Sequence, residues 1–352
     1  MLILNDLHIG VQRTGGTTPQ SALALKNYLR ESLRSLQPYD GNLTINGDLF
    51  DKFEVDTAEV IQTYDILAAW LAEDTDNHLN LVQGNHDANP RGAKISSFHL
   101  LAHFLQSRFG KQVRLFDKGF TNINTQLWCI PHVPNQDLFA VEVDKACKMK
   151  GKNKFLLLHC NVKNTFAEHS DHSLNLTDPM VTELMKAGWT LIVGHEHIGY
   201  ELRGGRIIVV GNQFPSSVSD CIGDPDKFAL RIVGTSTEYL KTWSAKNEHD
   251  GEIEYAEIDW RELGDSSAKF IRVVGDATAA EAADVVTAIS RYRQRSGAFV
   301  ITNGVKVDGV AAIEELTLDA VTNVRQFDVM SAILEQLDEK EQEVVKGLLN
   351  AD

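Results

Sequence analysis

The chain has 352 residues, enough for a catalytic unit of roughly 250 residues and a smaller second one, since single hydrophobic cores stop growing near that size. Its 43% hydrophobic content is ordinary for a globular protein, and no run approaches the ~20 apolar residues of a membrane span, which argues against a helical membrane protein. The formal net charge of −15 excludes the basic footprint of a protein that grips nucleic acid unaided.

In chain order, five apolar runs each end in a residue able to bind a metal. Leu2–Asn5 leads into Asp6-Leu7-His8. After a Gly- and Thr-rich loop, Gly10–Gln20, the spacing of Leu23, Tyr28, Leu29 and Leu33 predicts a helix over Ser21–Leu36. Leu43–Asn46 then leads into Gly47-Asp48, and a second helical stretch follows over Thr57–Ala72. Leu79–Gln83 precedes Gly84-Asn85-His86-Asp87, and Phe155–Leu158 precedes His159. Thr177-Asp178-Pro179 opens a helix with a capping residue and Pro in the first turn. Leu191–Val193 ends in Gly194-His195-Glu196-His197. Runs this apolar read as buried strands of a mainly parallel sheet, whose carboxyl ends would gather the ligands at one edge. His, Asp and Asn side chains suit two divalent ions such as manganese better than a thiolate zinc site. The expectation is a dinuclear phosphoesterase.

Further along, Arg206–Val210, Phe228–Val233 and Leu240–Trp243 read as strands, with a Gly211-Asn212-Gln213-Phe214-Pro215-Ser216-Ser217 turn after the first. Phe270–Val274, an Ala-rich helix over Thr278–Arg293 and Phe299–Val307 form a strand-helix-strand module. Two short amphipathic helices, Val329–Leu337 and Glu339–Leu349, end the chain; Met330, Ile333, Leu334 and Leu337 stripe one, Val344, Val345, Leu348 and Leu349 the other. The division is therefore residues 1–264, 265–326 and 327–352.

Other features carry less. Cys129, Cys147, Cys160 and Cys221 include no Cys-x-x-Cys, so neither a disulfide framework nor a zinc cluster is suggested, and Cys160, next to His159, reads as a buried free thiol. Lys145, Lys148, Lys150, Lys152 and Lys154 read as a solvated helix end. His99 and His103, four apart, read as a structural pair, while His169 and His172 fall in a polar loop. Met1-Leu2-Ile3-Leu4 runs directly into Asp6 with no leader, so a cytoplasmic protein is expected.

The five motifs, in this order, resemble those of the calcineurin-like metallophosphoesterases, and in detail those of the SbcD-type nuclease subunits of double-strand-break repair complexes, bacteriophage versions included. The resemblance implies an α/β fold: a two-sheet sandwich flanked by helices, with a small C-terminal capping domain and terminal helices. It implies that Asp6, His8 and His197 hold one Mn2+ ion, that Asn85, His159 and His195 hold the other, with Mg2+ as an alternative, and that Asp48 bridges them. His86 would stand over the scissile phosphate and protonate the leaving oxygen, a task an imidazole can perform near neutral pH. The implied activity is DNA exonuclease and endonuclease cleavage in repair and recombination. The implied partners are DNA, a second copy of the chain through helices near residues 51–72 and 99–108, and an SMC-like coiled-coil ATPase bound by the terminal helices.

Departures from relatives sharpen the choice. Phosphoprotein phosphatases of the superfamily carry Gly-Asp-x-x-Asp-Arg-Gly and Gly-Asn-His-Glu, whereas here Lys52-Phe53 and Asp87 stand at the differing positions. Asp51 matches the bacterial SbcD-type variant, where many archaeal and eukaryotic relatives have His. A stand-alone phosphodiesterase for cyclic nucleotides and a non-catalytic scaffold of the same fold are the alternatives. The acidic charge favours the former, and the intact ligand set opposes the latter.

Overall fold

The computed structural model describes residues 1–11, 18–36, 41–88, 94–163, 173–246 and 253–308. The two expected terminal helices, His169, His172 and most of the Gly10–Gln20 loop lie outside these residues. The described chain is a mixed α/β protein with two six-stranded sheets.

The first sheet uses β1 (Leu2–Leu4), β2 (Asn42–Asn46), β3 (His78–Val82) and β4 (Val113–Phe116). The second uses β5 (Thr121–Asn122), β6 (Leu127–Ile130), β7 (Phe155–His159), β10 (Thr190–Gly194), β11 (Tyr200–Leu202) and β12 (Ile207–Val209), with the short pair β8 (Asn161–Val162) and β9 (Asn175–Leu176) between β7 and β10 in the chain. Strands β13 (Asp226–Val233) and β14 (Ser236–Ser244), expected from the sequence to complete the second sheet, instead complete the first through β13 pairing with β1, giving the order β14-β13-β1-β2-β3-β4. The second runs β11-β12-β10-β7-β6-β5. From β1 to β4 every pairing is parallel, as are β6 with β7, β7 with β10 and β10 with β12. The strands that end in the five sequence motifs therefore point the same way within their sheets.

Side-chain alternation explains the layering. In β1, Leu2 and Leu4 join a core beneath α2 (Thr57–Glu73) and α3 (Ser97–Phe109), while Ile3 joins a second core shared by both sheets. In β7, Leu156 and Leu158 face α4 (Gln136–Lys148) and α5 (Asp178–Ala187), while Phe155 and Leu157 enter the shared core. β10 repeats this with Leu191 and Val193 against Ile192. These three strands are apolar on both faces, which is why they read as continuous apolar runs, while β2 and β3 bury Thr44 and Asn80 and satisfy them against each other at 3.2 Å.

Helix α1 (Pro19–Ser35) starts at Thr18, whose Oγ1 accepts the Ser21 N–H at 3.2 Å. Its buried stripe is Leu25, Leu29 and Leu33, while Leu23 is 56% exposed. Positions four apart share a face, and residue 23 stands nearly opposite residue 25. Lys145 and Lys148 close the last turn of α4, exposed and paired with Glu142 and Asp144.

A third sheet, wholly parallel, has the order β15 (Tyr255–Asp259), β16 (Phe270–Val274), β18 (Val300–Asn303), with β17 (Asp276–Ala277) paired to β19 (Lys306–Val307). Its first strand lies before the expected boundary at residue 264. Helix α6 (Ala282–Arg295) crosses between β16 and β18, burying Val285, Ile289 and Tyr292. Thr278 and Glu281 form a capping box, so the chain enters α6 through a 3-10 turn rather than starting the helix at 278. Phe270 and Val300 share a core with Leu25, Leu29, Phe214 and Trp243, and the Tyr28 ring lies 5.5 Å from that of Phe299. The third sheet is thus seated on α1 through aromatic contact.

Candidate metal centre

Backbone hydrogen bonds first bring the motif loops together. The Asp6 N–H donates to the Gly47 carbonyl and the His8 N–H to the Asp48 carbonyl, so the loops after β1 and β2 run side by side. Asp6, His8, Asp48 and His195 all have positive φ, at 50, 45, 49 and 95°. Left-handed backbone at four non-glycine residues costs on the order of 1–3 kcal/mol each and persists only where the surroundings impose it. Here the surroundings are close-packed glycines. A Cβ on Gly47 would lie 2.0 Å from His159 Nδ1, and one on Gly84 2.2 Å from Asp48 Oδ1.

The eight sequence-identified residues converge. His8 Nε2 lies 3.0 Å from His197 Nε2, and Asp6 completes that group. Asn85 Oδ1 lies 3.0 Å from both His159 Nε2 and His195 Nδ1. Asp48 Oδ2 stands between the groups, 3.2 Å from His159 Nε2 and 4.0 Å from His8 Nε2. His86 Nε2 is 3.9 Å from the same oxygen, within ligand range of His8 and Asp48. Its side chain is 35% exposed, against at most 2% for Asp6, His8, Asp48 and His159. Of these five, only His86 is open to a substrate.

Burial alone would force the carboxylates to protonate. For Asp6 burial wins and raises its pKa. At Asp48 burial is outweighed by His159, His86 and His8, which hold the carboxyl well below its usual range. Reciprocally, Asp48 overcomes the burial of His159 and lifts it to about 10. His195, buried and beside His159, is pushed well below the usual imidazole range and is ready to offer a lone pair. His8 Nδ1 is buried without a hydrogen bond of its own, its acidic neighbour being Asp51 Oδ1 at 3.5 Å. Two buried carboxylates, several imidazole nitrogens and an amide oxygen converging on one another form a set that divalent cations fit. The groups suited to hold them are Asp6, His8 and His197, and Asn85, His159 and His195, with Asp48 common to both.

The acidic neighbours within the motifs do other work. Asp87 Oδ2 accepts the Gly84 N–H at 2.9 Å, and burial beside Asp48 lifts its pKa to about 7. Glu196 accepts from the Val162 N–H and the Tyr200 hydroxyl, each at 2.7 Å. Both brace the turns that carry ligands.

Sequence reasoning missed the amide layer beneath the centre. Asn46 Nδ2 donates to Asn5 Oδ1 at 2.8 Å and to the Leu158 carbonyl at 3.0 Å, and the Asn5 N–H donates to Gln213 Oε1 at 2.5 Å. This layer ties β1, β2 and β7 to the turn after β12. Its local signal is an Asn at the end of each of two apolar runs. His99 contacts Ser96 and Asp117, away from the centre, and joins none of the metal-type groups.

No protein-family model matches the chain, and no curated protein matches it. Among solved structures 73 chains match. One of them shares 13% identity over 69% of this chain and 98% of its own, with a TM-score of 0.37. A superposition that loose carries no argument. No helix among the described residues is long and apolar enough to cross a membrane.

Proposed function

We propose that this chain is a metal-dependent phosphodiesterase of the metallophosphoesterase type, acting on DNA as the nuclease subunit of an SbcD-type repair complex. The observation that carries the reading is Asp48, whose Oδ2 stands between two groups of ligand-type side chains drawn from five strand ends. Two divalent ions, once bound, supply Lewis-acid polarisation of the phosphate and a water acidified enough to attack it near neutral pH.

The chain's own residues do the rest. Asp6, Asp48 and the buried imidazoles fix the donor atoms before substrate arrives. Asn85 contributes an oxygen donor without adding negative charge, which keeps the centre attractive to a phosphodiester. His86 is half-buried, its Nδ1 hydrogen-bonds to the Asp51 carbonyl, and Asp48 favours its protonated form despite that burial. It is the group suited to deliver a proton to the leaving oxygen.

A net charge of −15 leaves the chain poorly equipped to hold DNA unaided. We therefore assign most of the DNA affinity to an ATPase partner recruited through residues 327–352, and homodimerisation to α2 and α3, whose exposed Ile61 and Phe104 support it. The same charge favours a second reading, a phosphodiesterase for small substrates such as cyclic nucleotides.

The test uses the full chain with Mn2+ on linear DNA and on a chromogenic phosphodiester. Cleavage of both, lost in chelator and in Asp48→Ala, is the expected result. Cleavage of the small ester alone, even with the partner present, selects the second reading. Undiminished cleavage of both substrates in chelator overturns both readings.

A further inference from the structure

His197 is held from two sides by residues outside the five motifs. Its ring Nδ1 lies 2.9 Å from Oδ1 of Asp220, in the short turn Ser219–Cys221. Its carbonyl accepts from Lys227 Nζ at 3.0 Å and from the Asn212 N–H at 3.2 Å. Asp220 is 4% exposed, and its other oxygen accepts from the Ser216 N–H at 2.8 Å, the Ser216 hydroxyl at 2.9 Å and the Ser217 N–H at 3.0 Å. Three donors on one oxygen fix the plane of the carboxylate and aim the second oxygen at the ring. A carboxylate accepts only, so His197 Nδ1 carries the proton and Nε2 presents its lone pair towards Asp6 and His8. The partners of the other group differ: His159 Nδ1 is met by a backbone carbonyl, that of Asn46, at 3.0 Å.

We propose that Asp220 is a positioning residue for one of the two metal groups: it sets the tautomer and orientation of His197 and strengthens ion binding by Asp6, His8 and His197 without touching the other group. The inference rests on the two-ion reading of the centre. A carboxylate behind a ligating imidazole raises its basicity as well as orienting it, and such outer partners are commonly worth 10–100-fold in metal affinity. Asparagine cannot substitute. Its NH2 must face either the Ser216 and Ser217 donors or the His197 Nδ1–H, and either choice sets donor against donor.

The test is Mn2+ titration of the metal-free full-length protein by calorimetry, comparing wild type with Asp220→Asn. Two ions per wild-type chain are expected, and the variant should weaken one of them by about 10–100-fold while leaving the other unchanged. If both affinities stay unchanged, or fall together, the positioning role is overturned while the two-ion reading stands. If the wild type takes up fewer than two ions, the two-ion reading fails and the inference falls with it. A measurement on the unmutated chain covers the case of a variant that does not fold. Nitrogen-15 spectra of the histidine side chains should show His197 protonated on Nδ1, assigned by its loss in His197→Gln, and an Nε2-protonated ring overturns the proposal.

Discussion

The His195 N–H donates to both carboxylate oxygens of Asp6, at 3.1 and 3.0 Å, across 189 residues of sequence. The first candidate motif and the last are therefore joined by a backbone-to-carboxylate hydrogen bond, independently of any ion. Asp6 is both a ligand candidate and the clasp between the two sheets.

Asp6→Ala should accordingly lower stability even in chelator. It strands a buried N–H, which costs about 1–3 kcal/mol. Urea denaturation with metal removed is the measurement, and a variant as stable as wild type under those conditions contradicts the clasp.

Gly47 is required by conformation and by contact, Gly84 by contact. Gly47 has φ 88°, and an added Cβ would overlap His159; at Gly84 it would overlap Asp48. Gly47→Ala and Gly84→Ala should each destabilise the fold by about 1–3 kcal/mol through overpacking. Both should also weaken ion binding, because the displaced side chains are ligand candidates. Thermal melts and metal titration together check this, and unaltered metal affinity in both would show that the loops yield without moving the ligands.

Strands β1, β7 and β10 were legible because both their faces are covered by apolar side chains, whereas β2 and β3 alternate, with buried Thr44 and Asn80 joined at 3.2 Å, and were legible because each run stops where a polar motif begins. Strand β4, Val-Arg-Leu-Phe, and strand β6, Leu-Trp-Cys-Ile, are as regular in the fold, but no motif follows them and four residues of mixed pattern carry little signal. Neither Asp220 nor Gln213 could be found locally. Gln213 acts on Asn5, 208 residues away, and Asp220 on His197 through a turn whose only mark is Pro-Ser-Ser. Long-range polar contacts of this kind leave no periodicity to read.

Glu142 should make stability depend on acid. Partial burial works to raise its carboxyl, but hydrogen bonds from Lys145 and the Phe120 N–H outweigh this and hold it below the usual range. A group whose pKa is lower folded than unfolded stabilises the fold above the unfolded value, near 4.3, and loses that contribution as pH falls through the folded one. Glu142→Gln should therefore melt below wild type at pH 7, with the gap closing below about pH 4. A gap that widens in acid reverses the sign and removes the explanation.

His86 tests the division between holding ions and moving protons. Its Nε2 lies within ligand range of Asp48, yet its side chain is 35% exposed and its Nδ1 is engaged by the Asp51 carbonyl. His86 is more open than the buried Asp6, His8, Asp48 and His159, and a proton donor must reach the substrate. His86→Ser should thus retain two bound Mn2+ ions while turnover of a phosphodiester falls by about 10²–10⁴, the usual contribution of a positioned acid. An activated leaving group such as nitrophenolate needs little protonation, so the loss should be smaller on a chromogenic ester than on DNA. Metal analysis of the purified variant decides the matter: one ion fewer per chain makes His86 a ligand, and an equal loss on both substrates removes its role as the acid.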